Sequence, residues 1–161
     1  MAVASSGTAT VTLPADDQIL ITREFDAPSE LVFKAWTTPE LVKRWWSGQR
    51  GGVTSAEIDL RVGGMWRYVM EANAGFEVAF HGEYREIVPN ERIVTTKVFE
   101  GMPDAQAVDT ITFAEADGRT TLTMLVQHTS KEDRDGHINS GMEGGMQESM
   151  DALEQVAISL R

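Results

Sequence analysis

The chain has 161 residues, 42 per cent hydrophobic and 24 per cent charged, the size and composition of one globular domain that can bury a core without a covalent staple. It contains no cysteine, which excludes a disulfide scaffold, a thiolate metal site, an iron–sulfur cluster and a cysteine nucleophile. Against 25 Asp and Glu stand 14 Lys and Arg, a formal charge of −11 that repels phosphate backbones and anionic lipid, so neither a nucleic-acid nor a membrane partner is expected. No apolar run has the length of a membrane span, and the first residues lack the basic and apolar segments of a secretion signal. A cytoplasmic protein is therefore expected.

Residues 1–16 are small and polar and read as a tail, with a short edge strand at Thr8–Leu13 as the other reading; residues 17–161 form the expected domain. Gln18–Phe25 is β-rich and closes at Asp26–Pro28, so it reads as a strand. Pro28 suits a first helical turn, and Val32, Phe33 and Trp36 recur at helical spacing. Pro39 ends that helix and opens a second, whose apolar face carries Leu41, Val42, Trp45 and Trp46. After Gly51–Gly52 six strands are expected, at Thr54–Val62, Met65–Glu71, Phe76–Ile87, Arg92–Phe99, Ala107–Glu115 and Thr120–Thr129. The turns between them are short, which makes an antiparallel meander. Ile138, Met142, Met146, Met150, Leu153, Val156, Ala157 and Leu160 then trace one helical face. A helix over Ser140–Leu160 spans roughly 30 Å, enough to cross a sheet. Gly141, Gly144 and Gly145 weaken its first turns by roughly 1 kcal/mol each relative to Ala. The order is α+β, and the C-terminal helix is the one element long enough to cover the concave face of a curved sheet.

The segments Ile21–Trp46, Asp59–Met70, Phe80–Thr96, Phe99–Pro103 and His137–Gln155, in that order, resemble the START-like helix-grip fold. That superfamily is also called SRPBCC or polyketide cyclase-like. Within it the chain is similar to the heat-shock-protein ATPase activator homologue-like branch, over about Gln18–Leu160. The resemblance implies a curved antiparallel sheet wrapped around a long C-terminal helix, two short helices after the first strand, and an apolar cavity between sheet and helix. The superfamily includes lipid carriers, cyclases, hormone receptors and antibiotic-sequestering proteins, so the fold does not choose the function. Members of the branch often carry Trp after the helix's GxxxG, where this chain has Met146; that exchanges a rigid cavity wall for a flexible one. The branch takes its name from a co-chaperone that uses an additional N-terminal domain.

Strand parity supplies the chemical clue. Asp117–Gly118 is a two-residue hairpin signal, and pairing Ala116 with Arg119 sets Phe113 opposite Leu122, Ile111 opposite Met124, Asp109 opposite Val126 and Ala107 opposite His128. The apolar, inward face then also carries Asp109 and His128. They form either a polar pair at one end of the cavity, the carboxylate raising the imidazole's pKa and fixing its tautomer, or two solvated groups at the strand ends. At Gly63–Gly64 a two-residue turn would turn Glu57, Asp59 and Arg61 onto the face of Trp66, Tyr68 and Met70. A three-residue turn with a glycine bulge aligns Ile58 and Leu60 with those residues instead and keeps the polarity consistent. It is the favoured reading, with Asp59, Arg61 and Arg67 pairing on the surface. With Phe76, Val78 and Phe80 inward, His81 faces out unless a bulge at Gly82 re-aims it; Tyr84 faces in, to offer a ligand its hydroxyl or to sit in the core. His137 reads as exposed.

Three scattered histidines without ligand spacing argue against a metal, and no phosphate loop or serine elbow is present; no cofactor is expected. Met142, Met146 and Met150 at i, i+4, i+8, with Met70, Met124, Trp46, Trp66 and Phe80, read singly as core and together as a soft wall for an irregular apolar ligand. The expected function is therefore binding of a small apolar or aromatic molecule, with Trp46, Trp66, Tyr68, Met70, Phe80, Ile111, Met124, Met142, Met146 and Met150 as walls and Tyr84, Asp109 and His128 as polar contacts. The alternatives are a cyclase- or dehydratase-type enzyme with His128 as base, Asp109 as its orienter and Tyr84 stabilising an enolate, or a chaperone ATPase activator-like interaction module. A homodimer through the outer sheet face or an edge strand is compatible with either.

Overall fold

The computed structural model describes residues 9–161. Eight antiparallel strands run β1 Thr10–Thr12, β2 Gln18–Phe25, β3 Gly51–Ile58, β4 Met65–Ala72, β5 Glu77–Val88, β6 Arg92–Phe99, β7 Ala107–Ala116 and β8 Arg119–Gln127. The helices are α1 Ser29–Thr37, α2 Pro39–Trp45, α3 Lys131–Asn139 and α4 Met142–Ser159. The strands form one sheet in the order β1-β2-β8-β7-β6-β5-β4-β3. The meander β3 to β8 is thus closed by the earlier β2, which pairs with β8 along its whole length. Helices α1 and α2 both pack on α4, with α1 also against β7 and α2 against β3. This is the α+β helix-grip architecture that the element order implies.

Besides shifts of one or two residues at strand ends, among them β8 stopping at Gln127 before His128, four stretches differ from the sequence reading, each for a local reason. Residues 10–12 pair with β2, and the Ala9 backbone exchanges two hydrogen bonds of 2.9 Å with the Gln147 side chain, so this stretch is docked strand and not tail; Met1–Thr8 lie outside the described residues. Strand β3 begins at Gly51 and ends at Ile58, which leaves Leu60 and Val62 exposed in the following loop. Its start needs glycine, because a Cβ on Gly51 would lie 2.1 Å from the Glu71 carbonyl oxygen. Helix α3 has no apolar period to announce it; its signal is the cap, with Ser130 Oγ accepting from the Asp133 N–H at 3.0 Å. Between α3 and α4 the chain turns at Gly141 (φ 83°), so the expected continuous face is split and Ile138 belongs to α3.

Helix α4 is fastened to the sheet at its C-terminal half. Leu153, Val156 and Ala157 are buried there in the same core cluster as Ile19, Ile21 and Phe25 of β2. Arg23 shares that inward face and is only 1% exposed. Its guanidinium reaches Asp151 at 2.7 Å and Glu154 at 3.3 Å and stacks over the Phe25 ring at 4.8 Å. Glu154 in turn accepts from the Asp26 N–H at 2.8 Å. A buried carboxylate stripped of its cation is far more costly than a pair replaced as a unit. Arg23→Ala is therefore expected to lose about 3–5 kcal/mol of stability in urea denaturation, and an Arg23→Met/Glu154→Leu double variant to lose clearly less; equal losses would mean that the charges do not hold the helix.

Candidate functional site

Toward its N-terminal half α4 stands away from the sheet, and a cavity of about 710 Å³ lies between them. Its walls come from the inward-facing residues of β2 and β4 to β8, from the end of α2 and from α3 and α4. The hairpin at Asp117–Gly118 sets the central part: both residues have positive φ, as a type I′ turn requires, and Phe113↔Leu122, Ile111↔Met124 and Asp109↔Val126 are paired. Ile111, Met124 and Val126 therefore face the cavity together with Asp109 and His128. From β4 come Trp66, Tyr68 and Met70, from β5 Phe80 and Tyr84, and from α4 Met142, Met146 and Met150. Trp46, just past α2, meets Tyr68 and Phe80 edge to face, with ring centroids 5.4 and 5.2 Å apart. Phe99 and Met102 also border the space, yet Met102 is 57% exposed, so they mark its mouth.

Local backbone irregularities aim these side chains. Ile58 pairs with Trp66 and Glu57 with Arg67, so Glu57, the charged residue of β3, points away from the cavity. The favoured polarity holds, but the connection is longer than three residues: the Asp59 N–H donates to the Met65 carbonyl across a loop through Gly63 (φ 85°). The bulge of this hairpin lies between Val53 and Ser55, not at the glycines. Arg61 pairs with Asp59 inside that loop. Arg67 instead reaches Glu100 at 2.8 Å, and Glu100 also meets His81 at 2.9 Å, so His81 does face outward. Those two partners hold the Glu100 carboxyl down at about 2 and raise the Arg67 guanidinium. On β5 the bulge falls between Tyr84 and Glu86, beyond Gly82, which leaves Tyr84 inward. Phe76 is not an inward strand residue; it lies in the turn before β5 and is exposed.

The polar end of the cavity is arranged differently from the expected pair. Asp109 (4% exposed) and His128 (9% exposed) are both buried, not solvated at the rim. They do not hydrogen-bond to each other. Asp109 Oδ2 lies 3.3 Å from Lys97 Nζ, and His128 Nε2 lies 3.0 Å from His137 Nδ1. Asp109 Oδ1 and His128 Nδ1 are buried without a partner. His137 is half-buried, not exposed, because α3 folds it over β8. Burial, assisted by the Lys97 charge, lowers the pKa of His128, and the effect outweighs the opposing Asp109 carboxylate. Burial, Lys97 and His128 together push His137 down to about 3. Both imidazoles are therefore neutral at pH 7, and the carboxylate does not raise His128 as expected. The Tyr68 and Tyr84 phenols are shifted up by burial and stay un-ionised.

Lys97 and His137 are the members of this group that the sequence reading missed. The register Ile93↔Ile111 and Thr95↔Asp109 carries the inward parity of β6 through Lys97, which the sequence does not announce because RIVTTKVF has apolar residues on both parities. His137 was not legible either, since it reaches the site only through a helix without apolar periodicity. Among the described residues no group of three His, Asp or Glu could hold a metal ion, and no helix is long and apolar enough to cross a membrane.

A curved antiparallel sheet gripping a long C-terminal helix, with an apolar cavity between them, defines a START-like helix-grip protein. More narrowly, residues 26–157 match the activator of Hsp90 ATPase homolog 1-like protein family, and the chain belongs to it. A protein of Rhodobacter sphaeroides superposes with a TM-score of 0.87 at 21% identity, over 94% of this chain and 99% of its own. One of Nitrosomonas europaea gives 0.83 at 23% identity, over 91% and 97%. One of Chromobacterium violaceum gives 0.72 at 26% identity, over 89% and 98%. No curated protein matches the chain.

The lowered histidines make stability depend on pH. The unfolded chain takes up a proton on His137 near pH 6.5, while the folded one resists until about 3. This contribution is complete above pH 6.5 and is lost as pH falls toward 3. Glu100 acts only below its ordinary range, so between pH 6.5 and 5 the histidines dominate. Urea denaturation is expected to show a loss of at most about 2 kcal/mol from His137 between pH 7 and 5, absent in His137→Gln. An unchanged slope in that variant would exclude His137 as the source.

Proposed function

We propose that the protein binds one small, largely apolar or aromatic molecule in the cavity between sheet and α4. The observation that carries this reading is the cavity itself: about 710 Å³, inside the range of sites for small organic ligands, with aromatic and methionine walls and a few convergent polar groups at one end. Met142, Met146 and Met150 lie at successive turns of α4 and adapt to irregular shapes without a fixed pocket outline. Trp46, Tyr68 and Phe80 offer a rigid aromatic surface opposite.

A cyclase- or dehydratase-type reaction is the second reading, favoured by one observation: His128 is neutral and buried at the cavity wall, where a base is needed. Its orienting partner is then His137 and not Asp109, which is engaged by Lys97. Membership of a family described by Hsp90 ATPase activation supports a third, chaperone-directed reading, tested by adding the protein to an Hsp90 ATPase assay.

Native mass spectrometry of freshly purified protein, followed by denaturing extraction, is expected to release an apolar compound at near one per chain. Met146→Trp fills the cavity wall with a bulkier, stiffer side chain. It is expected to reduce that occupancy at least tenfold while leaving the thermal midpoint within a few degrees of the parent. Undiminished occupancy in this variant would place the compound outside the cavity.

A further inference from the structure

The polar end of the cavity holds two groups that the protein itself leaves unanswered. Asp109 Oδ1 and His128 Nδ1 are both buried, both on residues that border the cavity, and both without a hydrogen-bond partner. An unpaired buried polar atom is costly, and native structures leave few of them unpaired. Their other atoms are committed: Asp109 Oδ2 to Lys97, and His128 Nε2 to His137. Asp109 faces Val126 across the β7–β8 ladder, and His128 follows two residues later on the same face. Such diagonal neighbours have Cα atoms about 7–8 Å apart, and a ligand group reaches the two covered atoms by a rotation of either side chain toward the cavity.

We propose that Asp109 and His128 form a subsite for a neutral hydroxyl, and that the ligand of this cavity is an apolar alcohol or phenol seated with its hydroxyl between them. This rests on the cavity being a ligand site. A hydroxyl both donates and accepts: its proton goes to Asp109 Oδ1, and its oxygen accepts from His128 Nδ1–H. The other chemistries fit less well. A carboxylate or carbonyl oxygen has no proton for Asp109 Oδ1. An ammonium would bring a second cation beside Lys97, which already neutralises that carboxylate at 3.3 Å. A hydrocarbon would leave both atoms unpaired. The arrangement also dictates a tautomer. If His128 carries its single proton on Nδ1, the hydrogen bond to His137 must be donated by His137 Nδ1–H to His128 Nε2. The Lys97–Asp109 pair and the His128–His137 pair are then what hold the two receiving atoms in place.

The test uses three probes with one aromatic body: pyrene, 1-hydroxypyrene and 1-pyrenecarboxylate, titrated by fluorescence into the full chain at pH 7. The expected order is 1-hydroxypyrene at least tenfold tighter than pyrene, with the carboxylate weaker than both. In Asp109→Ala, checked for a native far-UV spectrum, the ratio of 1-hydroxypyrene to pyrene affinity is expected to fall to threefold or less, whatever the change in pyrene affinity itself. Should Asp109→Ala fail to fold, His128→Phe serves the same comparison. Nitrogen NMR of the ligand-free protein provides an independent readout, with His128 protonated on Nδ1. Pyrene and 1-hydroxypyrene binding equally well, the carboxylate binding tightest, or His128 protonated on Nε2 would each overturn the hydroxyl subsite while the cavity reading stands. No binding of any probe would overturn both.

Discussion

The structure depends on how one helix is held: by a buried charge cluster at its C-terminal half, and at its N-terminal half by polar contacts with Ala9, Gln49, Arg50 and Trp46 at its flanks. At the C-terminal half, Arg23 lies buried beneath α4 and meets Asp151 and Glu154, while Leu153, Val156 and Ala157 close against β2. A charge so placed fixes the helix in rotation and in register, because any slide along the sheet would strand a buried ion. At the other end α4 begins at Gly141 in the left-handed region, and Gly144 leaves room for the Arg50 guanidinium. With the far end anchored and the near end lined by methionines, the helix covers the sheet without filling the space beneath it. The cavity follows from that asymmetry.

The sheet makes its own concession to the cavity. A Cβ on Gly82 would lie 1.8 Å from the Thr96 carbonyl oxygen and 2.5 Å from Trp66 Nε1, so only glycine fits there. That close approach lets Trp66 Nε1 donate to Thr95 Oγ1 at 2.7 Å, which satisfies the indole. Beyond Gly82 the bulge between Tyr84 and Glu86 bends β5 and sharpens the curvature of the sheet. Trp45 is satisfied similarly, by the Ala35 carbonyl at 3.0 Å. The Trp66 and Trp45 indoles are thus fixed by hydrogen bonds, and Met70, Met124, Met142, Met146 and Met150 supply the adaptable surface.

Charge is sorted between the two faces of the sheet. On the outer face Arg67, Glu100 and His81 form a solvent-accessible group. On the inner face the charged side chains are paired, Arg23 with Asp151 and Glu154 of α4 and Lys97 with Asp109. The two inner groups serve different ends of the molecule: the first anchors the helix, and the second lies beside a neutral histidine pair within an otherwise apolar chamber. Neutrality there has a physical origin, since burial and the Lys97 ammonium both oppose a second positive charge.

Much of this was legible in the amino-acid sequence. The Asp117–Gly118 turn determined the β7–β8 register, and with it the placing of Asp109, Ile111, Met124 and His128 on one inward face, because a two-residue hairpin leaves the pairing no freedom. Helical spacing located Met142, Met146 and Met150 on one side of α4 for the same kind of reason. What lay beyond reach was the contact between a side chain of one element and a side chain of the next. That Asp109 would bind Lys97 depended on a third strand, and that His128 would meet His137 depended on α3, a helix with a polar cap but no apolar stripe. Periodicity reports which way a side chain faces within its own element; only the closing of the sheet and the docking of the helices decided which side chain it would meet there.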